Sequence, residues 1–449
     1  MRALQTKRTL CTMALGCALA VTAAAPAQFG LSGGIGEAFR PSFTSRDVQL
    51  AVEMLQLDDA QKFILETLYD DYDAEFITGV DGFRQNVTDL RTKIDPVNPD
   101  PGQIMRVVFG TINVWRVEAR HLADQLMEDL QGILNDEQLE YWGTFQRKLF
   151  RLKYIKNGQL PGEKLDLLND VRDLDLDSDQ TLLLQPLLDQ YERQLDDALR
   201  RREDYMQTSQ TALIEAIQDE NYNVGIEVAA RQVALRKGVR DVNEQYTITI
   251  ADALPDETGK AFLESIRQMT YPRVYRRTPA GRAFDAALEL PDLDSATLEA
   301  INEIRLAYIA ETDVFNTHLV QMIRDYKPLQ IKYKVEQAAA RLGGGKTDRL
   351  TDPTREQFTK RAEMSRRYID QLKSLLTAEQ FASLPGARRW IEPDKAAIAA
   401  ARERVQRAKS AKNYKQKTPG GRTLPAPGSG ISNTEGNTGN TGTGKTADD

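Results

Sequence analysis

Cysteine and histidine are nearly absent from this chain of 449 residues, and their scarcity excludes several kinds of chemistry. Both cysteines, Cys11 and Cys17, lie within residues 1–27, so the rest of the chain has no disulfide, thiol nucleophile or cysteine-based metal site. The two histidines, His121 and His318, lie far apart in helical patterns that favour ordinary surface or packed side chains over zinc ligands. We therefore expect no cofactor, no metal and no enzymatic activity.

Long apolar runs are confined to the N-terminus. A basic start at residues 2–8 precedes the apolar stretch LCTMALGCALAVTAAA and the small-residue sequence APAQ. This order is typical of a secretory signal peptide, here residues 1–27 with cleavage after Ala27. No later segment reaches the ~18 apolar residues of a membrane span. We expect export to the periplasm; the alternative is a lipoprotein attached at Cys17, where ALGC resembles a lipobox.

Positive charge is scarce in the body of the chain. Residues 28–394 carry a net charge of about −16, which argues against nucleic acid and anionic membrane as partners of the folded part. Residues 395–422 are basic instead, with nine Lys or Arg and one Glu. Two interpretations of the basic segment 395–417 stay open: contact with an acidic surface, or a solvated helix. We expect 418–449 to be a disordered tail.

Two stretches resemble a phosphate-binding loop in sequence but lack the strand before it and the helix after it. Gly439–Thr446 reads GNTGTGKT and matches G-x-x-x-x-G-K-T, and Ala340–Thr347 reads ARLGGGKT. Such a loop binds phosphate only between a buried strand and a following helix. The first lies in Gly-, Thr- and Asn-rich sequence and the second follows no strand pattern, so we expect no nucleotide binding.

Internal repetition is the strongest organising signal. The stretches LQLDDAQKFILETLYDDY, LDLDSDQTLLLQPLLDQY and PDLDSATLEAINEIRLAY each place a leucine before an acidic residue, at Leu57, Leu176 and Leu293. Apolar residues follow at steps of three and four, which places them on one helix face. Each stretch ends in a tyrosine at the same position: Tyr72, Tyr191 and Tyr308.

A second, related helix start follows each of these, at Leu134, Leu254 and Leu376. The joints between repeats, NGQLPGEK and RTPAGRA, contain the Gly and Pro that stop helices. We therefore predict three tandem units of about 118 residues. The predicted units are 45–158, 159–278 and 279–394.

The sequence L-[D/N/T/P]-x-x-Q at these starts has a structural explanation. An Asp, Asn or Thr after the leucine caps the helix N-terminus, and a glutamine three residues later completes a capping box. The leucine packs back on the first turn. Thr258 and Thr297 break the box, and Pro255 replaces a cap. The motif residues are Leu57, Asp58, Gln61, Leu134, Asn135, Gln138, Leu176, Asp177, Gln180, Leu254, Leu293, Asp294, Leu376, Thr377 and Gln380.

The rest of the sequence is helical in pattern, and alternating strand patterns are nearly absent. We predict an all-α fold in which each unit has about four helices and long helices dominate. Pro186 lies within a predicted helix and should kink it.

The paired motifs, in a cysteine-free helical chain, resemble those of the Spy/CpxP family of periplasmic proteins. LDDAQ at 57–61 and LNDEQ at 134–138 are similar to the family's first and second motifs, and LTAEQ at 376–380 is a strict match. The resemblance covers most of 45–390, three times over. It implies that the motifs open two helices of a thin, curved, four-helix cradle. It also implies either ATP-independent binding of partly unfolded proteins on a concave amphipathic surface or a role in envelope-stress signalling.

Two acidic stretches invite other interpretations. DVRDLDLDSDQ at 170–180 alternates aspartate as a calcium loop does, but neither EF-hand frame places the required Gly and Glu. The cluster of Asp70, Asp71, Asp73 and Glu75 is better explained as a solvated helix face than as paired catalytic carboxylates. We therefore hold two hypotheses: a chaperone-like or stress-adaptor binding protein, and a scaffolding repeat protein of the envelope.

Overall fold

The structure, a computed structural model, confirms the predicted all-α class. No strand occurs in the part of the chain that it describes. The predicted signal peptide (1–27), the tail (418–449) and all of the basic segment 395–417 except Glu403 lie outside the described residues. The described residues are 39–92, 101–219, 221–342, 345–391 and Glu403.

The α-helices, in chain order, are α1 (Ser45–Met54), α2 (Asp59–Thr92), α3 (Pro101–Gly132), α4 (Asp136–Tyr154), α5 (Leu167–Arg172), α6 (Ser178–Gln218), α7 (Tyr222–Ala253), α8 (Asp256–Thr270), α9 (Pro272–Tyr275), α10 (Pro279–Leu288), α11 (Ser295–Leu342), α12 (Thr354–Leu375), α13 (Ala378–Ser383) and α14 (Arg388–Ile391). A 3₁₀ turn at Ile155–Asn157 follows α4.

One order of helices recurs along the chain. A short helix (α1, α5 or α10) precedes a long one (α2, α6 or α11), which packs along the next helix (α3, α7 or α12). A further helix follows each pair (α4, α8 or α13). The longest, α6 and α11, have 41 and 48 residues and span about 60 and 70 Å at 1.5 Å per residue.

A tyrosine of each long helix meets the start of the short helix that precedes it. Because the tyrosine hydroxyl is buried or partly buried, it needs a hydrogen-bond partner there. Each bond therefore holds the short helix against its long neighbour. The three pairs are Tyr72 with the Ser42 N–H (2.8 Å), Tyr191 with the Leu167 N–H (3.2 Å) and Tyr308 with the Thr278 hydroxyl (2.5 Å).

Apolar clusters fill the first two helix groups. In the first, Leu65, Leu130 and Phe145 are fully buried and join α2, α3 and α4. In the second, Leu195 and Ile250 are fully buried and join α6 to α7. The buried positions recur at helical spacing, so packing of one face stabilises these helices more than intrinsic propensity does.

One further cluster joins helices from all three predicted units. Phe76 and Trp115 enter it from α2 and α3, with their ring centroids 5.2 Å apart. Leu213 and Val228 enter from α6 and α7, and Ala338 enters from α11. The long helices therefore bury apolar surface against one another far from their capped starts.

Helices α2 and α3 approach closely at Gly79. A Cβ atom at this position would lie 2.0 Å from Cζ3 of Trp115, closer than any real contact. Gly82, one turn later on α2, has nothing within 4 Å of such a Cβ. The packing of α2 on α3 therefore requires glycine at position 79 but not at position 82.

Pro186 lies inside α6, and the helix continues on both sides of it. Proline has no N–H, so the carbonyl of Leu182 loses its helical donor. Leu182 lies on the exposed side of α6, where water can satisfy that carbonyl. The kink at Pro186 stays a prediction.

The chain divides into two compact units, Met1–Phe381 and Ala382–Asp449. Helices α1 to α12 belong to the first. In the second, Gly386 precedes α14 with a φ of +80°, the left-handed region that favours glycine.

Candidate functional site

The first two predicted motifs open α2 and α4 with complete capping boxes. At α2 the Gln61 N–H donates to Asp58 Oδ1 (2.8 Å), and the Asp58 N–H donates to Gln61 Oε1 (3.1 Å). At α4 the same two bonds join Gln138 and Asn135, at 2.9 and 3.0 Å. Each box satisfies backbone N–H groups that have no partner within the helix.

The two glutamines of these boxes also bond to each other. Nε2 of each amide donates to Oε1 of the other at 2.8 Å. Gln61 Nε2 also donates to the Ile133 carbonyl (2.7 Å), and Gln138 Nε2 donates to the Gln56 carbonyl (3.1 Å). Both donors and both acceptor positions of each amide are therefore filled. This reciprocal pair ties together two helix starts that are 77 residues apart, which the local reading of the motifs missed. The sequence signal for this pairing is that both motifs have glutamine at the same position.

Two later motifs form the same local box. At α6 the Gln180 N–H donates to Asp177 Oδ1 (2.8 Å), and the Asp177 N–H donates to Gln180 Oε1 (3.3 Å). Before α13 the corresponding bonds between Gln380 and Thr377 are 3.2 and 2.9 Å. These boxes satisfy helix-terminal donors as the first two do.

The remaining two starts depart from the pattern. Asp294 accepts from the N–H and the hydroxyl of Thr297, both at 2.8 Å, so α11 is capped although threonine replaces glutamine. Pro255 precedes α8 and makes no side-chain cap bond. Thr258 stands where the first predicted unit has Gln138, so a reciprocal amide pair cannot form there.

The leucine before each cap is at least partly buried, as expected of a residue that packs back on the first turn. These leucines lie in or against the neighbouring clusters or are half-buried: Leu57, Leu134, Leu176, Leu254, Leu293 and Leu376.

Large apolar side chains are exposed just after two of these caps. Phe63 and Ile64 on α2 are 72% and 42% exposed. Leu182 and Leu183 on α6 are 72% and 67% exposed. Both pairs lie five and six residues after the capping aspartate, whereas Glu299 occupies the first of these positions on α11. The repeats therefore present two similar apolar surfaces, the kind of feature that marks interaction sites.

Other exposed apolar residues are spaced one turn apart on a helix. Val114 and Val117 lie on α3, and Leu306 and Ile309 lie on α11. The apolar surface is thus spread over the helix groups and is not confined to one pocket.

A buried ionic network holds the joint between the first two predicted units. Glu163 is fully buried, and its Oε1 accepts from Arg202 (2.7 Å) and Arg236 (2.9 Å). Its Oε2 accepts from the backbone N–H groups of Gln159 (2.6 Å) and Leu160 (2.9 Å). Burial lowers the pKa of Arg236, and Glu163 opposes that shift. Because the two arginines lie on α6 and α7, the network fastens the joint to that helix pair.

Asp170 on α5 lies close to two other aspartates, Asp166 and Asp173. Burial raises the pKa of Asp170 to about 6, and repulsion from Asp166 and Asp173 adds to the shift. Its Oδ2 is buried without a hydrogen-bond partner. The stretch 170–180, considered for calcium, covers the end of α5 and the start of α6.

Among the described residues, no group of three or more His, Cys, Asp or Glu side chains is arranged to hold a metal ion. His121 and His318 are exposed on α3 and α11. Asp70, Asp71 and Glu75 are exposed and Asp73 is half-buried on α2.

The phosphate-loop lookalike Ala340–Thr347 begins within the last three residues of α11, so a helix and not a strand leads into it. The other, Gly439–Thr446, lies outside the described residues. None of the helices in the described ranges is both long and apolar enough to cross a membrane.

No protein-family model matches this chain, and neither a curated protein nor a solved structure is significantly similar to it.

Proposed function

We propose that this chain is an exported, cofactor-free helical protein that binds apolar segments of partly unfolded proteins without ATP, as the resemblance to the Spy/CpxP family implies. The observation that carries the proposal is the repeated exposure of two large apolar side chains after a helix cap. Phe63 with Ile64 and Leu182 with Leu183 remain exposed although their helices have well-filled cores on the other face.

We also propose that the chain consists of three tandem units. The recurring order of helices supports this, and so does the tyrosine that fixes each short helix to its long neighbour. Repetition gives one chain two similar apolar surfaces, so a client that detaches from one surface rebinds at the other before it diffuses away.

The energetics suit reversible binding. Burying one such side chain stabilises a complex by about 1.5–3 kcal/mol, before the entropy of ordering the client is subtracted. One pair contributes about 3–6 kcal/mol and two pairs contribute about 6–12 kcal/mol before the cost of association is subtracted. A single pair is therefore too weak to hold a client, and we expect weak, reversible binding only when both pairs act on one client.

The test uses residues 28–449 with a chemically unfolded client, followed by light scattering without nucleotide. We expect aggregation to be suppressed at near-stoichiometric ratios. Replacing Phe63, Ile64, Leu182 and Leu183 together by serine should raise the amount required by about 10-fold or more.

The control replaces two exposed polar neighbours of Phe63 and Ile64 on α2, Lys62→Ser and Glu66→Ser, and should suppress aggregation as the parent does. Equal activity of the quadruple variant would show that the apolar pairs are not the binding surface. No suppression by the parent, over a range of salt concentrations and clients, would refute the chaperone hypothesis.

The second candidate is a scaffolding protein of the envelope. The observation that favours it is the apolar cluster to which α2, α3, α6, α7 and α11, helices of all three predicted units, contribute side chains. A protein that is rigid along its length and inactive toward unfolded clients would fit this role.

A further inference from the structure

One buried arginine differs from all the others in the described residues. Four of the five have a carboxylate partner at 3.1 Å or less. Arg361 on α12, 7% exposed, has none. Its Nη1 donates to the Val274 carbonyl (2.7 Å) and to Asn316 Oδ1 (2.8 Å), and its Nε and Nη2 have no acceptor among the described residues. The four paired arginines are Arg151, Arg202, Arg236 and Arg240.

An unpaired buried charge is unfavourable, since desolvation is not offset by an opposite charge. Burial lowers the pKa of Arg361, yet arginine stays protonated in proteins. The positive charge therefore persists beneath the surface, in a body whose net charge is strongly negative.

Arg361 lies at the base of a cavity of about 210 Å³ that is lined by residues of α9, α10, α11 and α12. Four arginines and one aspartate line this cavity, and the aspartate, Asp285, is already held by Arg277 (2.5 Å) and Arg305 (3.0 Å). Thr312 also lines the cavity, and its hydroxyl oxygen is buried beside it without a hydrogen-bond partner. The volume is below the ~300–1,000 Å³ of pockets for drug-sized ligands, so the occupant must be small.

Comparison of the second and third predicted units shows that polar residues at the base of this cavity stand where the second unit has buried apolar residues. Leu176 and Leu293 open equivalent long helices 117 residues apart, and Leu254 and Leu376 end the segments that pack on them 122 residues apart. With the three units as proposed, these spacings match three cavity residues to three fully buried apolar residues of the second unit. The matched pairs are Thr312 with Leu195, Asn316 with Leu199 and Arg361 with Val239.

We propose that this cavity, hereafter the Arg361 cavity, binds a small oxyanion, a carboxylate or phosphate group. A guanidinium presents parallel N–H donors that fit two oxygens of such a group. The free donors of Arg361 and the Thr312 hydroxyl bind the oxyanion at the base, and Arg276 at the exposed rim attracts it.

The test measures binding of sodium phosphate and sodium acetate to residues 28–449 by calorimetry and thermal unfolding, against sodium chloride at equal ionic strength. We expect at least one oxyanion to bind and to raise Tm, and the two ions distinguish tetrahedral from planar ligands. Arg361→Met should weaken binding at least 10-fold, and Thr312→Val about 10-fold. Arg367→Met is the matched control on α12, since Arg367 is exposed and pairs with Glu311 outside the cavity; it should bind as the parent does.

A triple variant keeps the test decisive if Arg361→Met alone does not fold. Thr312→Leu, Asn316→Leu and Arg361→Val together introduce the apolar residues of the second unit. This variant should fold with a Tm at least equal to that of the ion-free parent and show no oxyanion response. The proposal would be overturned by a parent that binds neither ion at tens of millimolar, or by a triple variant that responds as the parent does.

Discussion

Replacing Glu163 by glutamine tests whether the buried ionic network stabilises the joint before α6. The carboxylate accepts four hydrogen bonds, two from arginine side chains through Oε1 and two from backbone N–H groups through Oε2. A glutamine amide has one oxygen and one NH₂ group. In either orientation its NH₂ group faces two donors, so one pair loses its acceptor.

The magnitude follows from burial. In Glu163→Gln the buried guanidinium groups of Arg202 and Arg236 lose the Glu163 carboxylate. Glu203, 2.7 Å from Arg202, is the carboxylate that remains near them. Removing one partner of a buried ion pair costs about 3–5 kcal/mol, because an unpaired charge stays inside. We expect Glu163→Gln to lower the free energy of unfolding by roughly this amount, about 3–5 kcal/mol.

Urea unfolding followed by circular dichroism measures the loss, and hydrogen exchange of the peptide 158–166 locates it. Glu257→Gln is the matched control, because its ion pair with Lys260 is exposed; its unfolding free energy should not change measurably. A loss below about 1 kcal/mol for Glu163→Gln, against the ~3–5 kcal/mol of a broken buried pair, would refute the reasoning.

Gly79→Ala should lower the free energy of unfolding by about 1–3 kcal/mol, because the added Cβ would overlap Trp115. Gly82→Ala should raise it by roughly 0.5–1 kcal/mol, because alanine favours the helix and its Cβ meets no atom within 4 Å. Urea unfolding of both variants separates the packing effect from helix propensity. Asp170 has a folded pKa of about 6, above its unfolded value, so its ionisation opposes folding as pH rises from about 4 to 6. Asp170→Asn should therefore be more stable than the parent at pH 7, by roughly 1–2 kcal/mol after solvent screening, and this advantage should disappear below pH 4. The free energy of unfolding of both proteins, measured across this pH range, tests the prediction. A difference that stayed constant with pH would contradict it. The fragment 159–278 should be less helical and less cooperative in thermal unfolding than the intact chain, because it loses the apolar cluster that α6 and α7 share with the other helices.

The helix starts are visible in the sequence because capping is local. The bonds between Asp177 and Gln180 span three residues, so their chemistry follows from residue type and spacing alone. The all-α class is visible for a similar reason, since helical periodicity extends over most of the chain and strand alternation does not.

The reciprocal amide pair and the ionic network are not visible in the same way. Gln61 and Gln138 are 77 residues apart, and Glu163 and Arg236 are 73 apart. Each of these side chains would be read locally as a capping or solvated group. Only the packing of the helix pairs shows that they meet and are shielded from water.

The sequence by itself determined the helical class, the positions of the caps and the repeated leucine and tyrosine positions, because these depend on contacts within a few turns of one helix. The tertiary structure decided which polar groups are buried and what they face. Arg361 shows the difference: its bond to the Val274 carbonyl spans 87 residues, and its lack of a carboxylate partner follows only from the helices packed around it. The energy of a charge depends on its surroundings, and those surroundings are set by the fold.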